Sequence, residues 1–142
     1  MPKARQEVFV DTNVLFSAFY GSANAEAITH AHLAGKTKLI ISQKVLEELV
    51  RNVQNKEPQA MILLRNFLQN SPPKIIKNPI KIDSKVEKFV HPKDQKIFQS
   101  AVNAKVKFFI TGNTKHYNVK HLQKSYKIQV LTPSQAANKL NL

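Results

Sequence analysis

The stretch Val8-Phe9-Val10-Asp11-Thr12-Asn13-Val14-Leu15 sets the frame for the rest of the chain. Its first three residues are β-branched or aromatic, and the run is short and bounded, as expected of a strand shielded on both faces. The run breaks on a carboxylate, and residues 13–20 then read as a helix. A strand that ends on Asp11 and passes straight into a helix opens a βα unit.

Working outward, the same kind of apolar run recurs at residues 38–41, 107–110 and 129–131, each expected to be a strand. Residues 24–35 read as a helix that closes near Gly35, where glycine suits a left-handed cap. Ser42 occupies an N-cap position, and Val45, Leu46, Leu49, Val50 and Val53 follow with helical spacing to about residue 55. Pro58 to Asn70 continues as a helix striped by Met61, Leu64, Phe67 and Leu68, which Pro72 and Pro73 end. Residues 74–83 alternate lysine and isoleucine around Pro79, which suits a short or edge strand. Helices are expected again over 94–104 and 134–140. This alternation predicts an α/β protein with a central, mostly parallel sheet in three α/β/α layers.

The chain has 142 residues, the size of one ordinary domain, and shows no repeat, low-complexity tract or linker. Having no cysteine, it excludes a disulfide framework, thiolate metal sites and cysteine nucleophiles, and it fits a reducing, cytoplasmic setting. No leader-like segment is read at Met1 to Gln6, and no apolar stretch approaches the roughly 20 residues that cross a bilayer.

The formal charge of +13 points to a polyanionic partner, with nucleic acid the first candidate. Nineteen of the 22 basic residues are lysines, which bind phosphates as point charges and lack the arginine fork that reads guanine. Backbone binding is therefore expected over base reading. All nine acids lie at or before Asp94, and residues 95–142 carry eight lysines and no acid.

Within that basic chain, a few carboxylates stand where parallel sheets place ligands, beyond the carboxyl ends of strands. Asp11 follows the first strand directly. Thr111, Gly112 and Asn113 follow the strand ending at Ile110. Asp94 falls at the start of its helix, where free N–H groups and the helix dipole favour an anion. Glu47 and Glu48 flank the apolar stripe of their helix about equally, so helical geometry leaves either one free to border the crevice.

Taken together these residues resemble the PIN-domain nucleases, in particular the toxin-like subgroup of bacterial and archaeal toxin–antitoxin pairs. The likeness rests on Val8–Leu15, on Ser42–Leu49 with its Ser-x-x-x-Leu-x-Glu-Leu spacing, on Pro92–Ala101, on Phe109–Tyr117 and on Val130–Pro133. It implies that Glu48, the acid preceding leucine, joins Asp11 and Asp94 as catalytic and metal-binding residues. It also implies single-stranded RNA as substrate, an antitoxin as partner and a homodimer as assembly. One departure is visible: many relatives carry a fourth acid where this chain has Asn113, a loss that at about 4 Å from a cation weakens binding by several kcal/mol at an effective dielectric near 20.

Three acids suit Mg²⁺ or Mn²⁺, hard ions that prefer oxygen and that activate water and polarise a phosphoryl oxygen. Asn13 and Thr111 are expected to support the acids, and Asn113 to orient water or substrate. Lys93, Lys96, Lys115, His116 and Tyr117 are candidate RNA contacts, the tyrosine by stacking on an unpaired base. The competing expectation is a PIN-fold protein that binds RNA with weak or no turnover.

Overall fold

The structure is a computed structural model that describes residues 5–142. Along the chain run β1 (Gln6–Val10), α1 (Thr12–Tyr20), α2 (Ala23–Leu33), β2 (Thr37–Ser42), α3 (Gln43–Lys56), α4 (Met61–Asn70), β3 (Lys74–Ile76), α5 (Ser84–Phe89), α6 (Gln95–Asn103), β4 (Phe108–Ile110), α7 (Val119–Tyr126), β5 (Gln129–Leu131) and α8 (Pro133–Lys139). The strands form one sheet in the order β3-β2-β1-β4-β5, and every pairing is parallel. This is the α/β architecture that the alternating pattern predicts.

Neighbouring residues of a strand face opposite sides of the sheet. Val8, Phe9 and Val10 are all buried, as are Leu39, Ile40 and Ile41, so both faces are covered. One contacting set of helices comprises α1 to α4 with α8, and a second comprises α5 to α7. The core between them is aromatic at its centre: Phe109 stacks on Phe9 with ring centroids 5.5 Å apart and meets Phe98 edge-on at 5.0 Å. His32 is a polar pin in this core. The Leu39 amide donates to its Nδ1 and its Nε2 donates to the Ser71 carbonyl, tying α2, β2 and the end of α4 together.

Local chemistry sets the element ends. The Ser42 hydroxyl accepts from the Val45 amide at the start of α3, and Gly35 takes a left-handed φ of 79° just past α2. The edge strand β3 stops before Pro79, whose missing N–H suits an edge. Thr132 and Gln135 close a reciprocal capping box at α8.

Two helices depart from the sequence expectation. Neither α5 nor α7 was anticipated, and each buries a single residue, Val86 and Leu122 respectively. Helix α5 is only six residues long with one fully buried anchor, whereas α7 does carry Val119, Leu122 and Tyr126 at helical spacing, in a stretch whose interleaved lysines draw the sequence reading toward RNA contact instead. The helix expected over 94–104 begins one residue later, because Pro92–Asp94 forms a tight 3₁₀ turn and Asp94 stands at the N-cap position of α6 without a side-chain capping bond.

The strand order also locates the site. The chain leaves β1 for β2 on one side and reaches β4 on the other, so the boundary between β1 and β4 is the topological switch point of the sheet. Ligands of open parallel sheets bind outside the carboxyl ends of the strands at such a point.

Candidate active site

Val10 and Ile110 are register partners, so the residues that follow them, Asp11 and Thr111, leave the sheet side by side. The Asp11 amide donates to the Ile110 carbonyl at 2.9 Å, and the Thr111 amide to the Leu131 carbonyl at 2.9 Å. Both side chains are buried at the mouth of the switch point.

Asp11 is held from three directions. The Thr12 amide donates to Oδ1 at 2.8 Å, while Oδ2 accepts from Thr111 Oγ1 at 2.9 Å and from Asn13 Nδ2 at 3.2 Å. Asn13 in turn accepts the Gly112 amide at 2.8 Å, bridging the two strand ends. A Cβ on Gly112 would lie 3.1 Å from that same Asn13 oxygen, so this turn is close-fitting.

Glu48 reaches the same place from α3. Its Oε2 accepts from Thr12 Oγ1 at 2.8 Å, whereas Glu47 is exposed. Asp94 arrives from the 3₁₀ turn ahead of α6, with His116 Nδ1 2.8 Å from its Oδ2. Asp11, Glu48 and Asp94 together line a crevice of about 320 Å³ with Thr12, Asn13, Phe16, Asn52, Lys56, Lys93 and Ile97.

The electrostatics of the crevice follow from its construction. Burial is the main cause that pushes the Asp11 carboxyl up to about 6, and the nearby charges of Asp94 and Glu48 add to it. Hydrogen bonds from Thr111 and Thr12 oppose that rise without cancelling it. Asp11, Glu48 and Asp94 line this one crevice with oxygen donors of the kind a hard divalent cation takes, but they are not drawn into one tight ligand cage: among the described residues, the grouping of three donors within 4.8 Å of one another is His91, Asp94 and His116.

The remaining candidates are spread around this centre. Lys93 lines the crevice; Lys115 and His116 line an adjoining open groove of about 710 Å³. Lys96 is exposed on α6. Asn113 is exposed, and it meets the centre through its amide, which donates to Thr111 Oγ1 at 3.1 Å. Tyr117 is only 6% exposed and packs against Phe98 and Phe109, so its ring is a core element and is not displayed for stacking on a base.

Sequence reasoning sets Thr12 among the small polar residues placed to hydrogen-bond the acids but leaves it out of the site, and it misses Asn52, Lys56 and His91. Asn52 and Lys56 lie four and eight residues after Glu48, on the same face of α3, so helical spacing alone identifies them once Glu48 is chosen. His91 offered no such signal, since only the fold brings it to His116.

Comparison with known proteins follows the same lines. The PIN domain family model matches residues 7–115. Among solved structures, VapBC2 from Rickettsia felis, bound to a DNA fragment from their promoter, is similar at a TM-score of 0.62 and 19% identity, over 89% of this chain and 98% of that one. At that identity the likeness is one of fold. Comparison with curated protein sequences gives no match.

Proposed function

Because this chain belongs to the PIN domain family, a family of nucleases, we propose that it is an endoribonuclease that hydrolyses single-stranded RNA with Mg²⁺ or Mn²⁺. The observation that carries this reading is that Asp11, Glu48 and Asp94, from three separate elements, line one crevice at the switch point, with the buried Asp11 held by Thr111 and the Thr12 amide. A carboxylate cluster at the switch point of a parallel sheet, in a chain of net charge +13, suits a cation and a polyanion together.

Asp11, Glu48 and Asp94 are the residues that would hold the ion, which would supply polarisation of a phosphoryl oxygen and a more acidic water. Around it the chain supplies orientation. Thr111, Asn13 and the Thr12 amide fix both oxygens of Asp11, and the Thr12 hydroxyl fixes Glu48. Lys56 and Lys93 border the crevice and neutralise the scissile phosphate's neighbours, while Lys115, His116 and the outlying Lys96 extend the basic surface. Asn113 acts through its amide on Thr111 and leaves this corner without a fourth charge.

We read the protein further as the toxin of a toxin–antitoxin pair, acting in the cytoplasm as a single PIN-like domain and as a homodimer. Among the described residues no helix is long and apolar enough to cross a membrane. Tyr20, Leu33, Ile62 and Leu63 are exposed apolar side chains, and Leu33 and Leu63 border an apolar groove of about 410 Å³ between α2 and α4. A protein partner covering that face is consistent with the fold likeness to VapBC2.

The test is cleavage of unstructured RNA by the purified protein in Mn²⁺ or Mg²⁺, comparing two neighbouring substitutions. Glu48→Gln is expected to lower the rate at least about a hundredfold, as loss of an ion-holding or ion-orienting group does, and Glu47→Gln to stay within about twofold of wild type. The reverse ranking would show that the wrong glutamate faces the reaction. RNA binding that weakens steeply with salt and never leads to cleavage would favour a non-catalytic RNA-binding role instead.

A further inference from the structure

A second constellation of metal-ligating side chains adjoins the carboxylate crevice, built largely from nitrogen. His91, Asp94 and His116 each offer one donor atom, and the three atoms lie within 4.8 Å of one another. We propose that these residues form a separate site for a Zn²⁺-class transition-metal ion, with Asp94 shared between it and the carboxylate crevice. This inference does not depend on RNA being cleaved.

The backbone brings the two imidazoles together. Residues 89–91 and 116–118 run antiparallel through the Val90–Tyr117 bridge. The His91 amide donates to the His116 carbonyl at 2.8 Å, and the Asn118 amide to the Phe89 carbonyl at 2.8 Å. The two rings then lie face to face with centroids 4.7 Å apart. Asp94 follows His91 by one tight turn, closed by its own amide on the His91 carbonyl at 2.8 Å. The three donors thus sit on main chain already held by hydrogen bonds.

Donor chemistry selects the ion. Two imidazoles and one carboxylate form a set that Zn²⁺ and its neighbours in the first transition row take well, whereas Mg²⁺ keeps to oxygen. Ligands on one such ion, with bonds of about 2.1 Å, stand roughly 3 to 3.5 Å apart. His116 Nδ1 and Asp94 Oδ2, at 2.8 Å, are close to that spacing already. The His91 donor lies within 4.8 Å of both, so it has to close by no more than roughly 1.5 Å, within reach of a side-chain rotation.

Access supports the reading independently. His91 and His116 line the open groove of about 710 Å³, so water can complete the coordination.

The experiment uses Co²⁺ as a visible-absorbing probe on the metal-free protein. Wild type is expected to take up one Co²⁺ with a ligand-field band that millimolar Mg²⁺ does not erase and that Zn²⁺ displaces. His91→Gln should weaken Co²⁺ binding at least about tenfold while its circular dichroism stays native, and Asp11→Asn should keep the band. If His91→Gln does not fold, His116→Gln serves the same purpose. The proposal is overturned by absence of a band, or by a band that both histidine substitutions leave unchanged. It is equally overturned by a band that Mg²⁺ removes and Asp11→Asn abolishes, which would place the ion in the carboxylate crevice.

Discussion

Replacing Asp11 by asparagine should abolish RNA cleavage and at the same time make the metal-free protein more stable. The two effects share one cause. Asp11 sits in the crevice with little solvent, beside Asp94 and Glu48, so its charge is costly until a cation arrives. Its pKa moves from 3.8 up to about 6 on folding, chiefly through burial. A group raised in this way adds stability that is fully present below the unfolded value and is lost as pH rises through the folded one. At about 1.4 kcal/mol for each pH unit, the loss amounts to about 3 kcal/mol above pH 6.

Asparagine carries no charge at any pH, and its amide oxygen can still accept from the Thr12 amide as Asp11 Oδ1 does, but the amide nitrogen in place of Oδ2 no longer accepts from Asn13 Nδ2. The variant should therefore start about 1 kcal/mol below the wild type near pH 4. It should gain about 3 kcal/mol on the wild type as pH rises through 6 and lead by about 2 kcal/mol at pH 8 in chelator. Urea unfolding at several pH values measures this gap directly. Adding Mn²⁺ should close it, since an ion that binds only the folded wild type stabilises only that form. Cleavage by the variant should fall about a thousandfold or more, the scale of several kcal/mol of lost charge stabilisation. A variant less stable than wild type at pH 8 would mean that Asp11 is satisfied without a cation. Undiminished cleavage would remove it from the reaction.

The second large effect lies beneath the site. Phe109 is fully buried at the centre of β4, stacked on Phe9, edge-on to Phe98 and against Tyr117. Truncation to alanine leaves a cavity bordered by three rings that are themselves fixed, so little collapse is available. The expected cost is about 3 to 5 kcal/mol, seen as a fall in melting temperature of roughly 10 to 15 °C for a chain of this size. Two residues further along, Thr111 leaves the same strand to hold Asp11. Cleavage per folded molecule should therefore drop as well, because the hydroxyl that orients the carboxylate loses its firm base. Phe109→Leu, which fills most of the space, should cost less than half as much. A loss below about 1.5 kcal/mol for Phe109→Ala would show that the sheet repacks around the gap.

Much of this organisation is legible along the chain, for reasons that differ from element to element. The strands at Val8–Val10 and Phe108–Ile110 announce themselves because a strand buried on both faces must be apolar at every position. Asp11 is legible because a charged residue ending such a run has to leave the sheet. Gly35, Ser42 and the Pro72-Pro73 pair mark boundaries through backbone chemistry that acts locally. Helix α5 stays hidden because six residues pinned at one buried side chain, Val86, span too little chain to show a period, while α7 carries a readable period at Val119, Leu122 and Tyr126 that its interleaved lysines overshadow.

The tertiary structure decided the rest, because it depends on which distant segments become neighbours. The order β3-β2-β1-β4-β5 puts Asp11 beside Thr111, a hundred residues away, and no local pattern encodes that register. Helical spacing left Glu47 and Glu48 equivalent; the packing of α3 against α1 turns Glu48 to the Thr12 hydroxyl and Glu47 to solvent. Tyr117, polar and set among lysines in sequence, is drawn inward by Phe98 and Phe109. Likewise, His91 and His116 meet only because an isolated antiparallel bridge joins their segments. Residue type and short spacing thus determined which groups could do chemistry, and the pairing of remote strands and loops determined which of them do it together.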